Sequence, residues 1–279
     1  MTTTPRTVVI SGAARGIGRA AALHLDQLGW QVFAGVRQPD HAAALRAVAS
    51  PRMVPVQCDL TDYASLHHAA AVVAQHLDGR GLDGLINNAG IVIPGPLEYL
   101  PLDDLHTQLA VGLVGQLALT QQMLPLLRPR RGRIINISSG SGRLVRPLLA
   151  AYSAAKFGLE ALSDGLRLEL APSGIRVIVI QPGATATPAW AATIERLDAV
   201  LAALPDPGRR TYGAALRQLH AVLTATVPYT TPPEQVAATI AHALQTPYPR
   251  ARYTVGRGAW RDVLLSYLPD RLRDRLMQM

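Results

Sequence analysis

The sequence predicts an α/β fold, a single domain over 1–279 built on a doubly wound parallel sheet, and three observations carry that prediction. Short β-branched runs alternate with amphipathic helical stretches, a glycine turn joins the first run to the first helix, and the candidate chemical residues follow the runs' carboxyl ends. Alternation of this kind demands crossover connections, which parallel strands need. At 279 residues and 49% hydrophobic, the chain can bury a large core, and α/β folds of this size commonly form one domain.

Arg6 to Ile10 is the first strand, and Ser11-Gly12-Ala13-Ala14-Arg15-Gly16-Ile17-Gly18 is the turn that leads into a helix marked by Ala20, Ala21, Leu23, Leu25 and Leu28. Glycines let backbone turn sharply and approach a diphosphate, and the free N–H groups at the following helix start attract that anion. Strand, glycine turn and helix in this order are the context of a dinucleotide site in a Rossmann domain. Trp30 to Gly35 is the second strand. A dinucleotide fold carries an acidic residue just beyond it, whereas this chain has Val36 and Arg37. With no carboxylate to repel it, a 2′-phosphate fits between Arg37 and Arg15, so NADP(H) is the expected cofactor; the plainer alternative is two exposed arginines.

A helix over Ala42 to Ala49 and a third strand, Val54 to Gln57, lead to Asp59, which either caps the next helix or touches adenine; Leu60 beside it is placed with the cofactor residues. The helix Tyr63 to Leu77 holds His67, His68 and His76, but adjacent histidines face different ways and no metal site is expected. Leu82 to Ile86 is the fourth strand and ends in the small polar turn Asn87-Asn88-Ala89-Gly90. A long helix, Leu102 to Leu127, follows. Its uncharged run from Gln108 to Leu127 raises the question of a membrane span, which four glutamines and Pro125 answer in favour of a buried helix.

Strand five, Arg133 to Ile137, runs into Ser138 and Ser139, and strand six, Ile175 to Ile180, into Gln181-Pro182-Gly183. Between them a helix carries Tyr152 and Lys156, which at i and i+4 share one face. A free phenol titrates near ~10, and a neighbouring ammonium favours its anion, so the pair is a tunable acid and base.

Taken together, the glycine turn, Asn87-Asn88-Ala89-Gly90, Ser139, the Tyr152-x-x-x-Lys156 pair and Pro182-Gly183 resemble the short-chain dehydrogenase/reductase family from Arg6 to Thr187. From Pro233 to Pro269 the chain is similar to the family's steroid- and retinol-dehydrogenase-like branch. The resemblance implies that Tyr152 exchanges a proton with the substrate oxygen, that Lys156 holds the nicotinamide ribose and lowers the phenol's pKa, and that Ser139 steadies the carbonyl, with Ser138 and Ser141 as alternates. It also implies cofactor contacts from Gly12, Arg15, Gly16, Ile17, Gly18, Asn88, Ala89, Gly90, Thr185, Thr187 and the Pro182-Gly183 backbone. One position departs from the pattern. The family usually has Asn in the long helix, three residues before a glycine, as part of a proton path to the lysine, and this chain has Gly112 there, aligned on Gly115.

The stretch 188–231 follows the last cofactor loop and is expected to cover the substrate, with Trp190, Ile194, Leu197, Leu201 and Leu204 matching an apolar alcohol, ketone or aldehyde; ordinary helical packing is the alternative. It also contains the turn Pro205-Asp206-Pro207-Gly208 and an apolar helix near Ala214 to Leu223. Pro233 to Gln245 is a further helix and Arg252 to Val255 a last strand. The tail 259–279 sets Leu264, Leu265, Leu268, Leu272 and Leu276 among arginines, a basic amphipathic helix suited to packing on the domain or a partner and also able to rest on a membrane surface. A net charge of +8 is scattered, with no recognition helix or stacking array for nucleic acid. The lone Cys58 and the absence of a basic start and apolar run in residues 1–8 point to the cytoplasm. A homodimer or homotetramer is expected. Two functions fit these residues: an NADP(H)-dependent oxidoreductase, and an NADP(H)-binding regulatory protein with little catalysis, which Gly112 makes thinkable.

Overall fold

The computed structural model describes residues 5–256 and 258–278; the first four residues of the N-terminal stretch and Met279 at the end of the tail lie outside the described residues. Seven parallel strands form one sheet in the order β3-β2-β1-β4-β5-β6-β7, from β1 (Thr7–Ile10), β2 (Gln31–Val36), β3 (Met53–Gln57), β4 (Gly84–Asn87), β5 (Arg133–Ile137), β6 (Arg176–Pro182) and β7 (Arg252–Val255). The chain begins at the centre, winds outward through β2 and β3, then returns to the other side of β1 with β4. That reversal opens a crevice at the carboxyl ends of β1 and β4, where such sheets bind ligands.

Both faces of the sheet are covered, and the strands show it residue by residue. Val8 and Ile10 of β1 pack with Ala21 and Leu25 of α1 (Gly16–Gln27), Leu45 of α2 (Pro39–Arg46) and Ile240 of α9 (Pro233–Gln245). Val9, between them, points the other way, toward Leu66 of α3 (Tyr63–Leu77), Leu119 of α5 (Gly115–Leu127) and Leu170 of α6 (Ala150–Leu170). Each of these leucines is nearly or wholly excluded from water, which stabilises the fold by about 1.5–3 kcal/mol per side chain.

Three helical expectations change in the structure. The long helix is α4 (Leu102–Leu109), a π-helical turn at Ala110–Val114, and then α5. Gly112 and Gly115 lie at this turn, and a Cβ on Gly115 would collide with the Leu60 carbonyl, so the helix is seated against the β3–α3 loop by its lack of side chain. By length and composition the stretch Leu102–Arg130, which contains an 18-residue window of mean hydropathy 1.3, is apolar enough to cross a membrane; here it packs against α3 and α6. The tail is two helices, α10 (Ala259–Leu265) and α11 (Asp270–Gln278), because Pro269 cannot continue the first.

The covering stretch is likewise two helices, α7 (Pro188–Ala203) and α8 (Asp206–Thr226), longer than the sequence pattern indicated. Pro205-Asp206-Pro207-Gly208 is no free turn, since α8 starts at Asp206 and Pro207 sits in its first turn, where its missing N–H costs nothing. The pair owns a small core of Leu197, Leu204, Leu216 and Leu223, joined by Leu148. Its two ends meet at one place: Ala186 N–H donates to the Thr231 carbonyl and Thr231 N–H to the Ala184 carbonyl, at 2.9 and 2.8 Å.

Candidate active site

The β1–α1 turn is shaped by glycines that admit no substitute. Gly12 and Gly16 have φ of +67° and +56°, and a Cβ on Gly12 would lie 2.8 Å from Ala89 Cα. Gly18 alone among the expected cofactor residues does not line the cleft; it lies beneath it, where a Cβ would strike the Gly12 carbonyl and the Asn88 amide. Asn88 Nδ2 donates to the Ser11 and Gly12 carbonyls at 3.0 and 3.2 Å, while Ser11 Oγ accepts from the Asn88 and Ala89 N–H groups. Asn88 thus fixes the turn. Its neighbour Asn87 braces the sheet, donating to Thr120 Oγ1 and Asn136 Oδ1 at 2.8 Å each.

A cavity of about 740 Å³ runs along the carboxyl ends of the strands from Arg37 to Asp262. At one end Arg15 and Arg37 are both exposed, and Gln38 and His41, which the sequence pattern did not single out, join them on its wall. Asp59 lies there too, but it does not cap α3. That cap is Asp62, which accepts from Ala64 N–H, while Asp59 holds Thr61 through bonds of 2.9 and 2.7 Å. Desolvation raises the Asp59 carboxyl, but the bonds from Thr61 and the Arg37 guanidinium outweigh it and hold the group below its ordinary value. Leu60, Ile17, Ala89, Gly90, Pro182, Gly183, Thr185 and Thr187 continue the lining toward the reactive end. A closely apposed backbone cradle, free N–H groups at a helix start and two cations at the far end fit a dinucleotide.

At the reactive end, β5 delivers Ser139, and α6 delivers Tyr152 and Lys156 to the same wall. Lys156 Nζ donates to the Ile137 carbonyl at 2.8 Å and lies 5.9 Å from the centroid of the Tyr152 ring. Burial lowers the lysine to about 8, against the opposing pull of Glu160. The expected lowering of the phenol by Lys156 is not what this state shows. Burial raises Tyr152 above its ordinary value, and it is a hydrogen bond from Ser139 and the Arg146 charge that pull it back. Lys156 is also the chain's single lysine among 27 Lys and Arg residues.

The covering helices contribute a different set from the one their sequence suggested. Trp190 and Thr193 of α7 and Leu219, Val222, Leu223 and Thr226 of α8 line the cavity, whereas Ile194, Leu197, Leu201 and Leu204 pack in the core between the two helices. Trp190 Nε1 donates to the Leu223 carbonyl at 3.3 Å, which ties the helices together beside the cavity. Arg146, Arg261 and Asp262 form a polar rim, in which Arg146 pairs with the buried Asp262 of α10 at 2.6 Å. The π-helical turn brings Gly112 against α6: a Cβ there would lie 3.0 Å from Ala155 Cβ and 3.3 Å from Gln108 Nε2. Among the described residues no three His, Cys, Asp or Glu groups are placed to hold a metal ion.

Residues 6–198 match the short chain dehydrogenase family model. The chain belongs to the short-chain dehydrogenase family. Mouse retinol dehydrogenase 5 is 37% identical over 97% of this chain and 87% of its own length, and human 17-beta-hydroxysteroid dehydrogenase type 6 is 35% identical over the same shares. The crystal structure of a short-chain dehydrogenase from Streptomyces avermitilis superposes with a TM-score of 0.80 at 28% identity, covering 100% of this chain and 97% of that one. These likenesses place the chain in the steroid- and retinol-dehydrogenase-like branch of the short-chain dehydrogenases and extend past α7 to the tail.

Proposed function

We propose that this short-chain dehydrogenase is a single-domain, NADP(H)-dependent oxidoreductase acting on a mainly apolar secondary alcohol and its ketone, or an aldehyde, with Tyr152 as acid and base. The observation that carries the reading is the convergence of Ser139, Tyr152 and Lys156 on one wall of a cavity whose other end is a glycine cradle. When bound, the nicotinamide supplies or accepts the hydride.

In the reducing direction Tyr152 gives its proton to the substrate oxygen, and Ser139 holds that oxygen while negative charge develops. Lys156, with a pKa of about 8, is positioned to replenish the phenol's proton and to bond the ribose. Arg15 and Arg37 receive the 2′-phosphate. Trp190, Leu219, Val222 and Leu223 supply an apolar wall to the substrate, and Arg146 and Arg261 orient any polar group at its far end. The buried free Cys58 suits the cytoplasm, and exposed Val114, Phe157 and Leu168 on α4–α6 surfaces suit a homo-oligomer.

The test is NADPH consumption across a panel of ketones and aldehydes with wild type and Tyr152→Phe. The variant should lose turnover by about 10²–10⁴-fold while NADPH fluorescence titration gives the same affinity. If both proteins bind NADPH tightly and reduce every carbonyl equally slowly, the chain is a cofactor-binding regulator instead.

A further inference from the structure

We propose that Gln108 is a positioning residue for Lys156: its buried amide fixes the Ile91–Ile93 backbone and thereby holds the Gly90 turn against the lysine head. This rests on the reading of Tyr152 and Lys156 as the acid–base pair.

Gln108 is 0% exposed, and both ends of its amide are spent on one loop. Nε2 donates to the Ile91 carbonyl at 3.1 Å, and Oε1 accepts from Ile93 N–H at 2.9 Å. A second glutamine of the same helical stretch, Gln116, donates to the Ala89 carbonyl. The segment from Ala89 to Ile93 is therefore pinned from below at both ends. Between the pins stands Gly90, so close to Lys156 that a Cβ built on it would lie 3.8 Å from Nζ. The ammonium thus lies between the Gly90 turn and the Ile137 carbonyl, to which it donates a hydrogen bond. Burying a glutamine costs free energy that packing alone does not require, since a leucine fills similar space without an amide to satisfy. What the amide adds is a fixed backbone beside Lys156.

The same geometry explains the glycine at 112. The Gln108 amide stands 3.3 Å from where a Cβ at 112 would be, and Ala155, the residue before Lys156, bounds the other side at 3.0 Å. An amide placed one helical turn earlier and carried across the π-helical turn occupies the room a side chain at 112 would need. Gly112→Asn alone is then a steric conflict, and Gly112→Asn in a Gln108→Ala background is a relocation of the amide.

Because Lys156 is the single lysine, ¹³C- and ¹⁵N-lysine labelling gives one side-chain signal whose titration reports this site with no cofactor and no turnover. The charged groups facing the pair are Glu160 on α6 and Arg146 with its partner Asp262 of α10, and all stay in place in the variants. Gln108→Ala and the volume-matched Gln108→Leu should free the Gly90 turn, admit water, and move the Lys156 titration upward toward that of an ordinary lysine. Turnover should fall about 10- to 100-fold, with NADPH affinity changed less than about twofold. Gln108→Ala/Gly112→Asn should restore both the titration and the turnover. A Lys156 signal that titrates at the wild-type pH in both Gln108 variants overturns the proposal, as does a relocated amide that restores melting temperature but neither titration nor turnover. If wild type itself reduces no carbonyl, the oxidoreductase reading fails, and the lysine titration still decides whether Gln108 positions Lys156.

Discussion

The glycine-lined half of the cleft is shaped by backbone, whereas the half beside α7 and α8 is shaped by side chains that those two helices present to it. At Gly12, Gly16 and Gly18 the space for even one methyl is taken by Ala89, Thr187 or the Asn88 amide, and a polar ladder from Ser11 to Asn136 holds those contacts in place. Across the cleft, α7 and α8 enclose a core of a few leucines and line the cavity with Trp190, Leu219, Val222 and Leu223. A cradle made of backbone has little room for change, because each added atom meets main chain or a hydrogen-bonded amide. A wall made of side chains can be re-cut by substitution.

The sharpest way to break this contrast is Gly18→Ala, whose methyl has nowhere to go. We expect NADPH affinity to fall more than about 100-fold, read by fluorescence titration, or the native fold to be lost, because a backbone clash cannot relax as a side chain does. Retention of wild-type affinity would show that the turn is softer than its contacts imply.

Next in size is the far end of the cradle, where side chains take over. Arg15→Ala/Arg37→Ala should weaken NADPH about 10- to 100-fold and leave NADH within about twofold, since the two exposed charge-assisted contacts to a phosphate together contribute roughly 1.4–2.7 kcal/mol. Equal affinity of the wild-type protein for the two cofactors would remove the basis for NADP(H) preference.

On the covering side, Leu197→Ala takes a side chain of 1% exposure out of the α7–α8 core and should cost about 2–5 kcal/mol. Hydrogen exchange should rise in α7 and α8 while the sheet and NADPH affinity stay as they were. A uniform loss of protection across the whole chain would mean that the two halves do not open separately.

The smallest expected effect is a pH dependence of stability. Lys156 is lowered from 10.5 to about 8, so between those values the unfolded chain holds a proton that the native one has lost, and native stability rises with pH. The buried Cys58 thiol, raised from 9.0 to about 12, acts in the opposite sense, so the comparison must be with Lys156→Met in the same buffers. Relative to that variant, wild type should gain on the order of 2 kcal/mol between pH 8 and 10.5 in denaturant melts. A flat difference would mean that Lys156 stays solvated.

The backbone half was the more legible in sequence, because a strand, a glycine turn and a helix start announce a phosphate site through spacing alone. Helices such as Tyr63–Leu77 and Pro233–Gln245 and the strands Arg133–Ile137 and Arg252–Val255 were readable to the residue. The side-chain half was not. The sequence pattern put Leu197, Leu201 and Leu204 against the substrate, but whether such leucines meet a ligand or a second helix depends on the packing of α7 on α8. Gln108 and Gln116 were read as evidence for burial of the long helix, while what they bond depends on a loop that only the fold brings near them. The π-helical turn at Ala110–Val114 was not read either, and the close approach of Leu60 and Ala155 to its glycines joins residues distant in the chain. The pairing of Arg146 with Asp262 joins residues far apart in the chain, which no spacing rule anticipates.

The paired bonds between Ala184, Ala186 and Thr231 bring the start and finish of the covering helices to a single clasp at the end of the sheet. A segment whose ends are already joined adds little closure entropy when its length changes. Replacing the stretch above the clasp is therefore expected to leave the register of the sheet unchanged, which hydrogen exchange of the strands in such a chimaera would check. Thr185 and Thr231 mark the junction at which α7 and α8 would be exchanged while the seven strands stay as they are.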